Sequence, residues 1–119
     1  MKIAVTSQGK DLNSQVDPRF GRAAYVIIVD SDTNDFKVID NGENVNAMKG
    51  AGIQAASNVV NSGAKVLLTG FCGPNAYKAL QAGKVAVSND ASGTVREAVK
   101  LYLDGKLPHA DGANVEGHW

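Results

Sequence analysis

Lys65-Val66-Leu67-Leu68-Thr69-Gly70-Phe71-Cys72-Gly73-Pro74-Asn75 is the stretch on which the fold turns. Its first half is a short, nearly unbroken apolar run, the pattern of a parallel strand covered on both faces. A glycine-rich turn follows, and Pro74 falls at the first turn of a helix, where its missing N–H has no bond to lose. The helix is expected to end at Gly83, and Val85-Ala86-Val87 then supplies another strand. Strand, helix and strand in this order make a right-handed crossover between parallel neighbours, so the chain is α/β.

The same alternation extends outward in both directions. Upstream, Ile53, Ala56, Val59 and Val60 recur at helical spacing between Gly52 and Asn61, and Gly63 stands where a left-handed stop is needed. Downstream, Thr94-Val95-Arg96-Glu97 has the spacing of a capping box that opens a last helix running to about Asp104, just before Gly105. Residues 2–6 read as the first strand, and Tyr25–Asp30 and Phe36–Asp40 as a hairpin joined by the turn-forming residues 31–35. The expected fold is a five-stranded mixed sheet of order 3-2-1-4-5, flanked by three helices in three layers. One domain spans residues 1–107. The tail, residues 108–119, is rich in Gly, Ala, Asp and Asn without an apolar period and is expected to be weakly ordered.

Composition narrows the function. Twelve basic residues balance twelve acidic ones over 119 residues, so no overall field draws in nucleic acid or an anionic membrane. Cys72 is the single cysteine, which excludes an internal disulfide and any iron–sulfur site built from four thiolates of one chain. A reducing cytoplasm is the expected location. The apolar start, Met1 to Thr6, is too short for a signal peptide or a membrane span.

In such a topology four connections converge on the carboxyl edge of the sheet: residues 7–24, 41–51, 70–74 and 88–94. Ligands of open α/β sheets usually bind there. The first connection is long for a structureless loop and carries Arg19, Phe20, Gly21 and Arg22. The two arginines read either as solvated partners of Asp11 and Asp17 or as an anion clamp, with Gly21 letting the backbone approach a bound group. The second connection carries Met48, Lys49, Gly50 and Gly52 into the first helix. Its glycine pattern matches the dinucleotide fingerprint on paper, but no apolar strand immediately precedes it and no acidic residue lies about 20 positions on, so the nucleotide reading is rejected. The third carries Phe71, Cys72 and Gly73 to a helix amino end. Cys72 there reads equally as an inert apolar residue or as an activated thiolate.

At these residues the chain resembles the dinitrogenase iron–molybdenum cofactor biosynthesis family, small nitrogenase-accessory proteins that carry metal–sulfur cluster precursors. The likeness covers roughly residues 1–105. It rests on Lys2-Ile3-Ala4-Val5, Phe20-Gly21-Arg22-Ala23, Gly50-Ala51-Gly52-Ile53-Gln54-Ala55-Ala56 and Thr69-Gly70-Phe71-Cys72-Gly73-Pro74-Asn75-Ala76, four elements in one order. The resemblance implies a ribonuclease-H-like fold and a carrier or scaffold role. It also implies non-covalent binding of a mixed molybdenum–copper sulfide cluster, as in a member from sulfate reducers, or of an iron–molybdenum-type precursor as the alternative. Proteins that donate or receive the cluster would be its partners. Ala51 stands where many members have a histidine, which argues against direct metal ligation at that position. A cluster that brings its own sulfides needs only an envelope of cations, helix amino ends and soft apolar groups. Arg19, Arg22, Lys49, the glycine turns, Phe20, Met48 and Phe71 are the candidates for it.

The competing classes lack residues. A nuclease on this fold would need carboxylates on the central strands, and the first strand has none. His109 and His118 both lie in the tail, so no Ser-His-Asp or Cys-His set is credible and no enzyme is expected. Those two histidines read as solvated rather than as a copper or zinc site. A protein–protein module without an obligatory cofactor is the remaining alternative.

Overall fold

The computed structural model describes residues 1–41 and 51–107. The elements are β1 (Lys2–Ser7), β2 (Tyr25–Asp30), β3 (Phe36–Asp40), α1 (Ala51–Asn61), β4 (Val66–Leu68), α2 (Pro74–Ala82), β5 (Ala86–Ser88) and α3 (Val95–Leu103). They form one five-stranded sheet of order β3-β2-β1-β4-β5. β1 runs parallel to β4 and antiparallel to β2, β2 is antiparallel to β3, and β4 is parallel to β5. The expected fold and strand order are therefore those observed, with β1 central.

The two faces of β1 separate cleanly. Ala4 joins Val26, Ile28, Leu67 and Val87 in a layer covered by Ala55, Ala56 and Val59 of α1 and by Ala76, Tyr77 and Leu80 of α2. Ile3 and Val5 join Ile27, Val29, Val66 and Leu68 under Val95, Ala98 and Val99 of α3. Strand side chains alternate between faces, so a strand covered on both sides carries apolar residues toward both, and β4 is buried throughout. Burial of each such Leu, Ile, Val or Phe contributes roughly 1.5–3 kcal/mol relative to exposure.

Two local readings change. Ile53 was expected in the buried stripe of α1 but is half exposed. The stripe instead runs through Gly52, Ala55, Ala56 and Val59, which leaves Ile53 off-phase on the first turn. α2 ends at Gly83 as expected. The left-handed residue there is Lys84 (φ 61°), whereas Gly83 has φ −86°. Gly83 is small for a packing reason: a Cβ on it would lie 2.4 Å from Val60 Cγ2, where α1 and α2 press together. Val85 N–H consequently closes back onto Leu80 O at 2.9 Å, and β5 starts one residue later than expected. Gly63, by contrast, does take the left-handed stop after α1 (φ 84°). The 108–119 tail lies outside the described residues, so its expected weak order has no structural counterpart here.

Candidate functional site

β1, β3, β4 and β5 all end on one edge of the sheet, and α2 and α3 begin there. The helix amino ends differ in a way that local sequence does not announce. At α3 every early N–H is occupied: Val95 donates to Ser14 O and Arg96 to Leu12 O, both at 2.9 Å, and Glu97 donates to Thr94 Oγ1 at 3.1 Å. The Glu97 carboxylate completes the box by accepting Thr94 N–H, which holds its pKa below the usual value. This amino end is shut by the first loop.

α2 is built in the opposite way. Its N-cap is Gly73, which has no side chain to offer, and Pro74 follows at the first position. The Asn75 and Ala76 N–H groups have no hydrogen-bond partner among the described residues. Free amino-terminal N–H groups carry partial positive charge and suit an anion.

The arginine loop is fastened directly beside this end. Phe20 N–H donates to Phe71 O at 3.1 Å and Phe71 N–H to Pro18 O at 2.6 Å, so Arg19 and Phe71 form a short parallel bridge between loops. Gly70 permits the approach, since a Cβ there would stand 2.7 Å from Pro18 Cβ and 2.8 Å from Pro18 O. Arg22 N–H then donates to Arg19 O at 3.2 Å across Gly21, whose φ of 93° is the left-handed value a tight turn requires at that position. The turn thereby brings the two arginine backbones to within a few ångströms of each other.

Not every candidate faces outward. Phe20 is fully buried in the layer under α1 and α2, so its ring anchors the loop and offers a ligand no surface. Cys72 is likewise fully buried, and burial pushes its thiol up to about 12. The thiolate reading therefore fails for a physical reason: the turn points the sulfur into the core, where a charge has no solvation. Gly52 and Gly73 are buried backbone positions, whereas Arg19, Arg22 and Phe71 keep accessible surface, Phe71 at 41%. Met48, Lys49, Gly50 and His109 and His118 lie outside the described residues. The solvated-pair reading of the arginines is realised in part, since Arg19 Nε stands 3.6 Å from Asp17 Oδ1. Asp11 instead holds its own turn, accepting Asn13 N–H at 2.8 Å.

Sequence reasoning missed the depth of Asp17 and the seating of Pro18 on Gly70. The Asp-Pro pair in a long loop was the available signal, but it could not tell which connection the loop would touch. Among the described residues no three His, Cys, Asp or Glu side chains gather as a metal ion would need, and no helix is long and apolar enough to cross a membrane. A groove of about 950 Å³ lies elsewhere, on the β3 side against the second half of α1, between Lys2, Asp30, Lys37, Asn58 and Asn61. It contains none of the candidates, and its walls converge on no common chemistry.

The chain is similar to several known proteins. The family described as dinitrogenase iron–molybdenum cofactor matches residues 1–105. An uncharacterized protein of Methanocaldococcus jannaschii is 31% identical over 109 residues, 90% of this chain and 89% of that protein. Among solved structures, the apo form of the orange protein from Desulfovibrio gigas is 49% identical, with a TM-score of 0.93 over 96% of each chain. An NMR structure of a Thermotoga protein is 34% identical, with a TM-score of 0.84 over 98% of each chain.

Proposed function

We propose that this chain, which belongs to the dinitrogenase iron–molybdenum cofactor family, binds an anionic metal–sulfur cluster without covalent attachment and carries it between partner proteins. The observation that supports this most is the bridge between Arg19 and Phe71. It sets a guanidinium and a part-exposed aromatic ring beside the amino end of α2, whose Asn75 and Ala76 N–H groups have no partner among the described residues, on an edge where the lone thiol is neutral and withdrawn. Such a surface has charge and soft contact for a sulfide-coated anion but, among the described residues, no cluster of ligands to replace its sulfides. A molybdenum–copper sulfide cluster is the cargo this reading favours, and an iron–molybdenum-type precursor is the alternative. The role is that of a carrier or scaffold in the cytoplasm and not that of an enzyme.

The test is direct. Protein purified without air is titrated with tetrathiomolybdate and then copper, followed by visible absorption and by metal analysis after gel filtration. Charge-transfer bands that co-elute with the protein at a fixed metal-to-protein ratio support the reading, and metal that elutes entirely in the small-molecule volume overturns it.

The second reading, a protein–protein module, has one specific observation in its favour. Phe71 (41% exposed) and Ile53 (51%) place two large apolar side chains on the same edge of the sheet. Retention of partner proteins by cluster-free chain, unchanged on loading, would favour it.

A further inference from the structure

A negative charge sits beneath the arginine turn. Asp17 is 5% exposed, and its Oδ1 accepts Arg19 N–H at 3.0 Å while standing 3.6 Å from Arg19 Nε. The residue is braced on both sides of its backbone. Asp17 N–H donates to Thr6 O at 2.9 Å, and its carbonyl accepts the Thr6 hydroxyl at 2.5 Å. Thr6 Oγ1 is in turn hydrogen-bonded to Thr69 Oγ1 at 2.9 Å, which ties the ends of β1 and β4 to the loop. Among the described residues, Arg19 is the carboxylate's one ion-pair partner.

A merely structural acceptor for Arg19 N–H need not be charged, because asparagine or serine presents the same kind of oxygen. A fixed carboxylate paired with Arg19 at 3.6 Å offsets the charge by which the arginine would attract an anion. Burial makes the effect stronger, since neither water nor salt screens Asp17 well. The arginine side chain is half exposed, whereas that of Asp17 is only 7% exposed.

We infer that Asp17 is a positioning residue that aims Arg19 and holds part of its charge, and so sets how tightly, and how reversibly, an anionic thiometallate is held. The inference rests on the cluster-binding reading above. A carrier must release its cargo, and a built-in counter-charge keeps the affinity from becoming too high. With cargo bound, Arg19 is shared between the thiometallate and Asp17. When the cargo leaves, the guanidinium returns to its internal partner.

The experiment measures tetrathiomolybdate affinity by anaerobic titration at low and high salt for the wild type, Asp17→Asn, Arg19→Ala, the Asp17→Asn/Arg19→Ala double variant and Arg22→Ala. Asp17→Asn keeps an acceptor for Arg19 N–H, and it is expected to bind on the order of tenfold more tightly at low salt with a steeper salt dependence. Damage to the loop would weaken binding, so tightening is a readout that a purely structural role does not produce. The gain must vanish in the double variant, which should bind no better than Arg19→Ala alone. Asp17→Ser, a second neutral acceptor, must tighten binding too, and it keeps the test open if the asparagine variant folds poorly. Unchanged or weaker binding by both neutral variants, or tightening that survives in the Arg19→Ala background, overturns the role of Asp17. If the wild type binds and Arg22→Ala weakens it while the Asp17 variants are unchanged, only this inference falls. If the wild type binds no thiometallate at all, the cluster reading falls and Asp17's role falls with it.

Discussion

Arg19 and Phe71 stand next to each other because their loops are stitched backbone to backbone, Phe20 N–H to Phe71 O at 3.1 Å and Phe71 N–H to Pro18 O at 2.6 Å. The bridge joins residues far apart in sequence without using either side chain. The edge is therefore testable by side-chain substitutions that spare the bridge.

Arg19→Ala and Arg22→Ala are each expected to weaken tetrathiomolybdate binding by roughly tenfold to a hundredfold, the loss of one charge-assisted contact worth about 1.5–3 kcal/mol. Thermal stability should change little, because neither side chain is buried in the core. Lys37→Ala on β3 serves as the control, since it lies on the far side of the sheet. Equal losses in all three variants would mean that general charge, and not this turn, attracts the anion.

Gly70→Ala and Gly21→Ala should damage both folding and binding, but by different routes. At Gly70 the new methyl meets Pro18 at 2.7–2.8 Å, backbone oxygen included, so the loops must part. At Gly21 the strain comes from φ 93°, which costs a residue with a side chain about 1–3 kcal/mol. For a domain of this size that is a fall in melting temperature of several degrees at least. A Gly70→Ala protein that kept its wild-type melting temperature and affinity would show that the bridge does not hold the site together.

Cys72 gives a pH signature. Its thiol is raised from 9.0 to about 12 by burial, so between those values the unfolded chain has lost a proton that the folded chain keeps. This contribution to stability is fully present below pH 9 and is lost as pH rises toward 12, by at most about 1.4 kcal/mol per pH unit. Denaturant melts of wild type and Cys72→Ala at pH 8, 9 and 10 check it: the difference between them should narrow as pH rises. Iodoacetamide should label the unfolded protein and spare the native one at neutral pH. Cys72→Ser, at some cost in stability from a hydroxyl in an apolar layer, should still take up a preformed sulfide cluster. Loss of uptake with the fold intact would instead require a covalent ligand.

The sequence by itself determined the architecture. The buried run Val66–Leu68, the hairpin of Tyr25–Asp30 and Phe36–Asp40, the left-handed stop at Gly63 and the Thr94–Glu97 box are local or periodic signals, and short-range sterics and hydrogen bonding fix them. Those elements admit few topologies, so β1 at the centre and the convergence of the connections on the carboxyl edge followed. Only the tertiary structure decided which groups on that edge face outward. Phe20 and Phe71 are both aromatic residues in loops, yet one is sealed in the core and the other lies open, because the bridge between their backbones turns them to different sides. Gly83 is small because Val60 presses on it from another helix, a constraint no local pattern contains. The amino end of α3 is closed by Leu12 and Ser14, about 80 residues earlier in the chain, while the Asn75 and Ala76 N–H groups of α2 have no partner among the described residues. Long-range packing assigns each buried N–H, carboxylate and thiol its surroundings, and it is those surroundings, rather than residue type, that make Arg19 a candidate contact and Cys72 an inert one.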